Sequence, residues 1–559
     1  MKDRFYIRQL FSSLLLLFLC STQFAIAQSD PTGERRVTQT IAISNVNVTT
    51  APGKSIPGVT VLINNGLIEA IGTNIKLPPN TQVIKGDSLF VYPAFIDGAS
   101  MAGVSKPAEP EKPAGFDPSN PSDELAGITP WRSVLEQFDI KKGDVSDMRK
   151  AGFTLAQLVP DAGMVSGKSA IVVYGSKESS NIIANQSGIF TRFRGARGMY
   201  PGTTLGVMAK FRDLYRNAEL SSQHERLFAS NTGINRPEYN KSLSALYPVI
   251  DKSLPVLFEV SNELEVRRAL RLQNELGFKL ILVGVTEAAA ITNEIKAANA
   301  HVLLSLKLPE DKFSKESKNE SNTEVAARTE RIKDAYMQLV QQAALFEKAG
   351  IPFAFTTIGV KPTDIHKNLR IMIENGLSEQ AALAALTTQP AAILGIQKFA
   401  GTLEKGKMAN MVITNAPLFD KDAEVKMVIA DGHVYQYEAK AKTAPKGNAG
   451  TISIEGSWDY TSDTPAGSSS GTLTFEKSGE SYKGAITYDD PAGNGKTSSP
   501  MNNISLSGTT LSFSFDVAAG GMSLVVNVTG EINEDRFSGS MNLAEYGSFP
   551  LNATKKPGQ

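Results

Sequence analysis

A chain of 559 residues with 57 Lys and Arg against 57 Asp and Glu carries no formal net charge, and 41% of its residues are hydrophobic. That length and composition suit a globular protein of several domains. The balanced charge excludes nucleic acid or an anionic membrane as an obligatory partner, because both select for a basic excess.

The first segment reads as an export signal. Lys2, Arg4 and Arg8 precede the apolar run 14–19, and Ala25-Ile26-Ala27 supplies small residues at the cleavage positions. This predicts a signal peptide at 1–27, a mature start at Gln28 and a periplasmic or extracellular protein. Cys20, the single cysteine, lies inside the signal, so the mature chain is expected to hold its shape without disulfides. No later segment reaches the roughly eighteen apolar residues of a spanning helix, so no membrane span is expected in the mature chain.

Beyond the signal, the runs 41–48, 59–63 and 67–72 alternate apolar and polar residues between Gly, Pro and Asn turns, as half-buried strands do. Residues 89–97 form an almost unbroken apolar run, suited to a strand covered on both faces. Residues 105–123, rich in Pro and charge, read as a surface loop.

From about residue 150 strands and helices alternate. Strands are expected at 153–159, 171–174, 255–260, 280–284, 301–306 and 351–355. Helices are expected at 264–276, 291–298 and about 324–349, the first and last closed by Gly277 and Gly350. In the first helix Leu264, Arg268, Leu272 and Leu276 fall in one row, widened by Ala269 and Leu270. The charged run 311–322 reads as a solvated loop. Repeated β/α units over some 300 residues predict a parallel (β/α) barrel.

The tail changes character. Residues 439–450 are a Lys, Ala, Pro and Gly linker, and 451–559 hold short alternating strands with Gly and Ser turns. These predict a small antiparallel barrel or sandwich.

Three stretches together resemble the amidohydrolase superfamily, with imidazolonepropionase-like and prolidase-like members nearest. Val91-Tyr-Pro-Ala-Phe-Ile-Asp97 is similar to the family's entry into barrel strand one. Residues 376–395, from Gly376-Leu-Ser-Glu to Ile393-Leu-Gly395, are similar to the helix after strand eight. Gly401-Thr-Leu-Glu-Lys-Gly-Lys-Met-Ala-Asn-Met-Val-Ile413 is similar to the return into the small β domain, with Asn410 for the usual Asp. The resemblance covers about 40–440. It implies an α/β fold: a TIM-like (β/α)8 barrel at 96–398 with a composite β-sandwich domain from 28–95 and 399–438.

The resemblance also implies metal-dependent hydrolysis of C–N bonds, with a divalent ion activating water at the strand C-termini. Its ligands would be His-x-His after strand one, a carboxylated Lys after strand four, His after strands five and six, and Asp after strand eight. Here Ala99 and Met101 replace the strand-one histidines, Glu259 takes the strand-five histidine's place, and Ile358 stands at the strand-eight Asp position. Strand six ends without histidine, and no strand-four lysine is found. Ala, Met and Ile lack the donors a hydrolytic metal needs. No metal cofactor is therefore expected, the alternative being one divalent ion such as zinc.

Other candidates are sparse. His366 follows strand eight, within reach of the mouth, while His224, His301 and His433 show no metal-ligand spacing. Asp97 and Glu259 are the carboxylates nearest the expected mouth, as an acid/base pair or as a strand cap and a pocket or ion-pair residue. Arg192, Arg194 and Arg197 interleave with Phe190 and Phe193 and precede Tyr200, a cluster that suits either a carboxylate or sugar ligand or an ion-paired loop.

Three functions follow. The first is a degenerate amidohydrolase whose barrel binds a small-molecule ligand or another envelope protein, as a homo- or hetero-oligomer or alone. The second is a hydrolase rebuilt around Glu259 and Asp97. The third places glycan or partner binding on the C-terminal module through Trp458 and Tyr460.

Overall fold

The structure, a computed structural model, describes residues 34–36, 40–175, 181–310, 323–437 and 453–556, apart from 465–466, 479–480, 490–494, 508, 520–521 and 544–546. The signal peptide, the charged run 311–322 and the linker 439–450 lie outside the described residues. The chain divides into two compact units, Met1–Ala439 and Lys440–Gln559.

In the first unit the two flanks of the barrel share one nine-stranded sheet. Ile41–Ala51 pairs antiparallel with Lys54–Asn64, and Phe90–Pro93 pairs antiparallel with Met411–Thr414. Strands from opposite ends of the barrel thus lie side by side. Alternation explains the pairing: Ile43, Val61, Ile63, Val91, Ile413 and Ile429 turn to one buried cluster.

The barrel sheet has eight strands whose neighbours follow chain order. They are strand one, Phe95–Ser100; two, Phe153–Leu158; three, Val165–Val173; four, Ile182–Arg192; five, Val256–Glu259; six, Leu280–Val285; seven, His301–Ser305; and eight, Phe353–Thr356. Strand three runs antiparallel to both its neighbours, and every other ladder in this sheet is parallel. Strands two to four are therefore a meander set into an otherwise β/α ring. Side-chain parity separates two layers. Leu257, Ile281, Val283, Leu303 and Ala354 fill the inside of the ring. Phe258, Leu280, Leu282, Val302 and Phe353 face outward into the layer shared with the helices. Fully burying each such side chain contributes roughly 1.5–3 kcal/mol.

The helix Glu263–Leu276 starts on the Asn262 side chain, which accepts from Glu265 N, and stops at Gly277 with φ 76°. Its buried face differs from the row expected from sequence. Val266, Ala269, Leu270 and Leu272 are buried, whereas Leu264 is 62% exposed. The apolar stripe is centred on the i, i+3, i+4 set from Val266, and Leu264 sits one residue off it in the first turn. The long helix expected near 324–349 is two, Thr323–Val340 and Gln342–Lys348.

The second unit is a closed barrel of eight antiparallel strands from Gly456–Thr464 to Gly547–Lys555, the last pairing with the first. Trp458, Tyr460, Leu473, Phe475, Phe513 and Phe515 point inward and are buried. Asp459 and Thr461, between them in sequence, are exposed. An apolar interior with a polar exterior is the reverse of a barrel that sits in lipid. Among the described residues no helix is long and apolar enough to cross a membrane.

Candidate functional site

The ends of strands four to eight open on a cleft of about 500 Å³ lined by Arg192, Phe193, Arg194, Glu259, Lys307 and Ile358, among others. That volume suits a small molecule. Inward parity brings its floor residues there: Phe190 and Arg192 alternate in strand four, as Leu257 and Glu259 do in strand five, and the two strands pair Arg192 with Glu259.

Arg192 is the residue that sequence reasoning underrated, because strand four itself was missed. The first half of that strand, Ile182-Ile-Ala-Asn-Gln-Ser, mixes apolar and polar residues and is partly exposed, and only Gly188-Ile-Phe-Thr-Arg192 is buried. The alternation in those last residues was the one available signal. Arg192 Nε lies 2.8 Å from Glu259 Oε2, off the line of a good hydrogen bond. Arg192 Nη1 donates to Asp161 Oδ1 at 3.1 Å. The guanidinium is 5% exposed and also lies 5.2 Å from the Phe190 ring centroid. Its buried Nη2 has no hydrogen-bond partner among the described residues. Phe193 stacks on Phe258 at 4.4 Å between centroids, and both Phe193 and Arg194 line the cleft.

Asp97 does not line the cleft. It is wholly buried at the seam between strands one and eight, where its Oδ1 accepts from Thr357 N at 3.1 Å and Ala99 N at 3.3 Å. Its Oδ2 accepts from the Thr357 hydroxyl. Beside it Thr356 Oγ1 donates to Ala99 O at 2.6 Å. Side chains thus tie together the two strands at the ends of the sheet. Burial pushes the Asp97 carboxyl up to about 7, against the opposing pull of its hydrogen bonds from Thr357, Ser100 and Ala99. Asp97 and Glu259 therefore form no acid/base pair: one is sealed in the seam and the other is bound to Arg192.

Ala99, Met101 and Ile358 belong to one apolar cluster with Val159, Phe190, Leu257 and Leu303 inside the ring. Of the three, only Ile358 reaches the cleft. His366 is also displaced from its expected place. Its Nε2 lies 2.9 Å from Ala151 O and its ring packs by Phe95, in the layer between helices and strands. Burial lowers its pKa, so the ring is held neutral there. His224 bonds Asn235 O at 2.9 Å. In the second unit Trp458 and Tyr460 are core residues, not contacts: Trp458 is 1% exposed and its Nε1 donates to Ile454 O at 3.0 Å. An indole inside a small barrel needs such a partner.

Residues 359–436 match the model of the amidohydrolase family. The fold is shared with an amidohydrolase from Thermotoga maritima MSB8 at TM-score 0.58 and 21% identity, over 71% of this chain and 100% of that one. The chain is thus similar to the amidohydrolase family over residues 359–436 and shares the fold of an amidohydrolase. A Xaa-Pro dipeptidase with bound methionine in its active site aligns at 15% identity over 71% of this chain and 100% of that one, with TM-score 0.42. Molinate hydrolase aligns at 13% identity over 74% and 99%, with TM-score 0.40. No curated protein sequence matches the chain.

The superfamily's metal can be tested against the residues present. Strand four ends in Arg192, whose fixed positive charge opposes a divalent cation where an anionic ligand would be wanted. Strand one offers Ala99 and Met101, strand six ends at Val285 and strand eight leads to Ile358. Among the described residues no three His, Cys, Asp or Glu side chains gather closely enough to hold a metal ion. The donor set does not fit the metal.

Proposed function

We propose that this amidohydrolase-superfamily chain is an exported binding protein, whose barrel has set aside metal-dependent hydrolysis and takes a small molecule at its mouth. What supports the reading is the kind of contact made at the positions where the resemblance would put metal ligands. Ala99, Met101 and Ile358 pack as core, and Arg192 and Glu259 neutralise each other across strands four and five. A pair of opposite charges in contact has little left to offer a cation, and removing either partner leaves the other poorly solvated. Export rests on the first 27 residues alone.

Metal content after incubation with zinc, manganese or iron and desalting tests the proposal. Less than about a tenth of an equivalent by mass spectrometry is expected, given how tightly a formed site holds its ion. A full equivalent that disappears in Glu259→Ala would refute it and restore a hydrolase built around that carboxylate.

A further inference from the structure

The cleft is polar at its rim, but most of that polarity is already used. Glu265 Oε2 accepts from Ser261 N at 2.8 Å and from Ser261 Oγ at 3.0 Å. Thr286 Oγ1 donates to Ser261 O at 2.8 Å, and Ser305 Oγ accepts from Lys307 N at 3.1 Å. Glu259 is held by Arg192. What remains is cationic. Arg194 and Lys307 line the cleft and, among the described residues, neither side chain has a hydrogen-bond or ion-pair partner. Arg192 is spent on Glu259 and Asp161, and its Nη2 is buried out of reach of a ligand. Two cations, Arg194 and Lys307, thus line a pocket that Phe193, Val260 and Ile358 also line.

We propose that the cleft takes a small molecule with a single carboxylate on a short apolar body, the carboxylate held by Arg194 and Lys307 and the body laid against Phe193, Val260 and Ile358. A guanidinium and an ammonium in one cleft match the charge of a carboxylate, and the apolar wall provides for the remainder of the ligand. Glu259 and Glu265 line the same cleft and oppose a doubly charged phosphate more than a monoanion. The inference rests on the proposed function, in that it names the ligand class of the same site.

Calorimetric titration of the full chain with acetate, butyrate, phenylacetate and 4-phenylbutyrate tests it, beside 4-phenylbutanamide and inorganic phosphate. At least one aryl or alkyl carboxylate is expected to saturate with one site per chain. Its amide and phosphate should bind weaker by about tenfold or more, the worth of one charge-assisted hydrogen bond. Arg194→Gln and Lys307→Gln should each weaken the carboxylate by about tenfold. Arg271→Gln, on an exposed helix face with its own Glu275 partner, should leave binding unchanged. Saturation by none of the carboxylates, equal binding of acid and amide, tighter binding of phosphate, or indifference to both cleft substitutions would each overturn the inference. Repeating the titration with EDTA separates it from the reading it rests on. Binding abolished by EDTA overturns both, whereas binding that survives EDTA but ignores Arg194 and Lys307 overturns this inference alone.

Discussion

Neutralising the seam carboxylate gives a quantitative test of how the barrel is closed. Burial raises the Asp97 carboxyl from an ordinary 3.8 to about 7. A folded pKa above the unfolded one means that the folded state binds the extra proton, so stability is full below about pH 4 and is lost as pH rises toward 7. The slope in that window is about 1.4 kcal/mol per pH unit, and the total loss by pH 8 is about 4 kcal/mol. Asp97→Asn keeps the shape and removes the charge. Its Oδ1 retains the two backbone N–H donors, and its Nδ2 donates to the Thr357 hydroxyl in place of the bond that Oδ2 accepts. The variant should therefore gain on the parent as pH rises, by about 3 kcal/mol between pH 5 and pH 8. Urea unfolding at each pH unit, followed by Trp131 fluorescence in a Trp458→Phe background, reads the first unit alone because the chain has two tryptophans. Other titrating groups cancel in the difference between the two proteins. A difference that stays constant across this range would show that Asp97 is not desolvated in the seam, and the reasoning would fail.

Arg192→Met should cost about 2 kcal/mol in the same assay, because Asp161 and Glu259 lose a shared buried cation; adding Glu259→Leu should recover part of it. Gly98→Ala should cost about 2 kcal/mol, since a Cβ there would come within 2.7 Å of Leu303 Cδ2 and 2.9 Å of Phe355 O, with strand eight unable to retreat. Gly277→Ala, at a φ of 76° after the helix Glu263–Leu276, should lower stability by about 1 kcal/mol and leave carboxylate titrations untouched.

The parallel half of the barrel was legible in the sequence because its strands are short, wholly apolar runs between amphipathic helices. Strands five to eight lie within a residue or two of their expected bounds, and the shared flanking sheet follows the alternation at 41–48 and 59–63, while the apolar run 89–97 divides between that sheet and barrel strand one. Strand four escaped because Asn185-Gln-Ser187 interrupts its apolar residues and breaks the alternation between Ile182 and Phe190. The reversal of strand three escaped for a related reason. A buried strand reads the same in either direction, and only the lack of an intervening helix marks it. That Ala99, Met101 and Ile358 carry no metal donor was readable from residue identity alone. The contacts around them were not. The pairing of Arg192 with Glu259 and the sealing of Asp97 by Thr357 join residues far apart in sequence, and no local pattern encodes a contact across the ring. His366 likewise meets a partner far off in the chain, Ala151 O, in the outer layer and not at the mouth.

The antiparallel third strand has a consequence for how the ring assembles. Each parallel neighbour must wait for a crossover to be laid down, and the two outermost strands meet through contacts 260 residues apart in the chain. Strands two to four need only two hairpin-like connections, which close at much smaller entropic cost. That arc is therefore expected to form first, as a local nucleus, with closure of the ring among the last events. Pulse-labelled hydrogen exchange during refolding should protect the amides of 155–158 and 170–173 ahead of those in strand eight, and simultaneous protection would argue for a single concerted collapse.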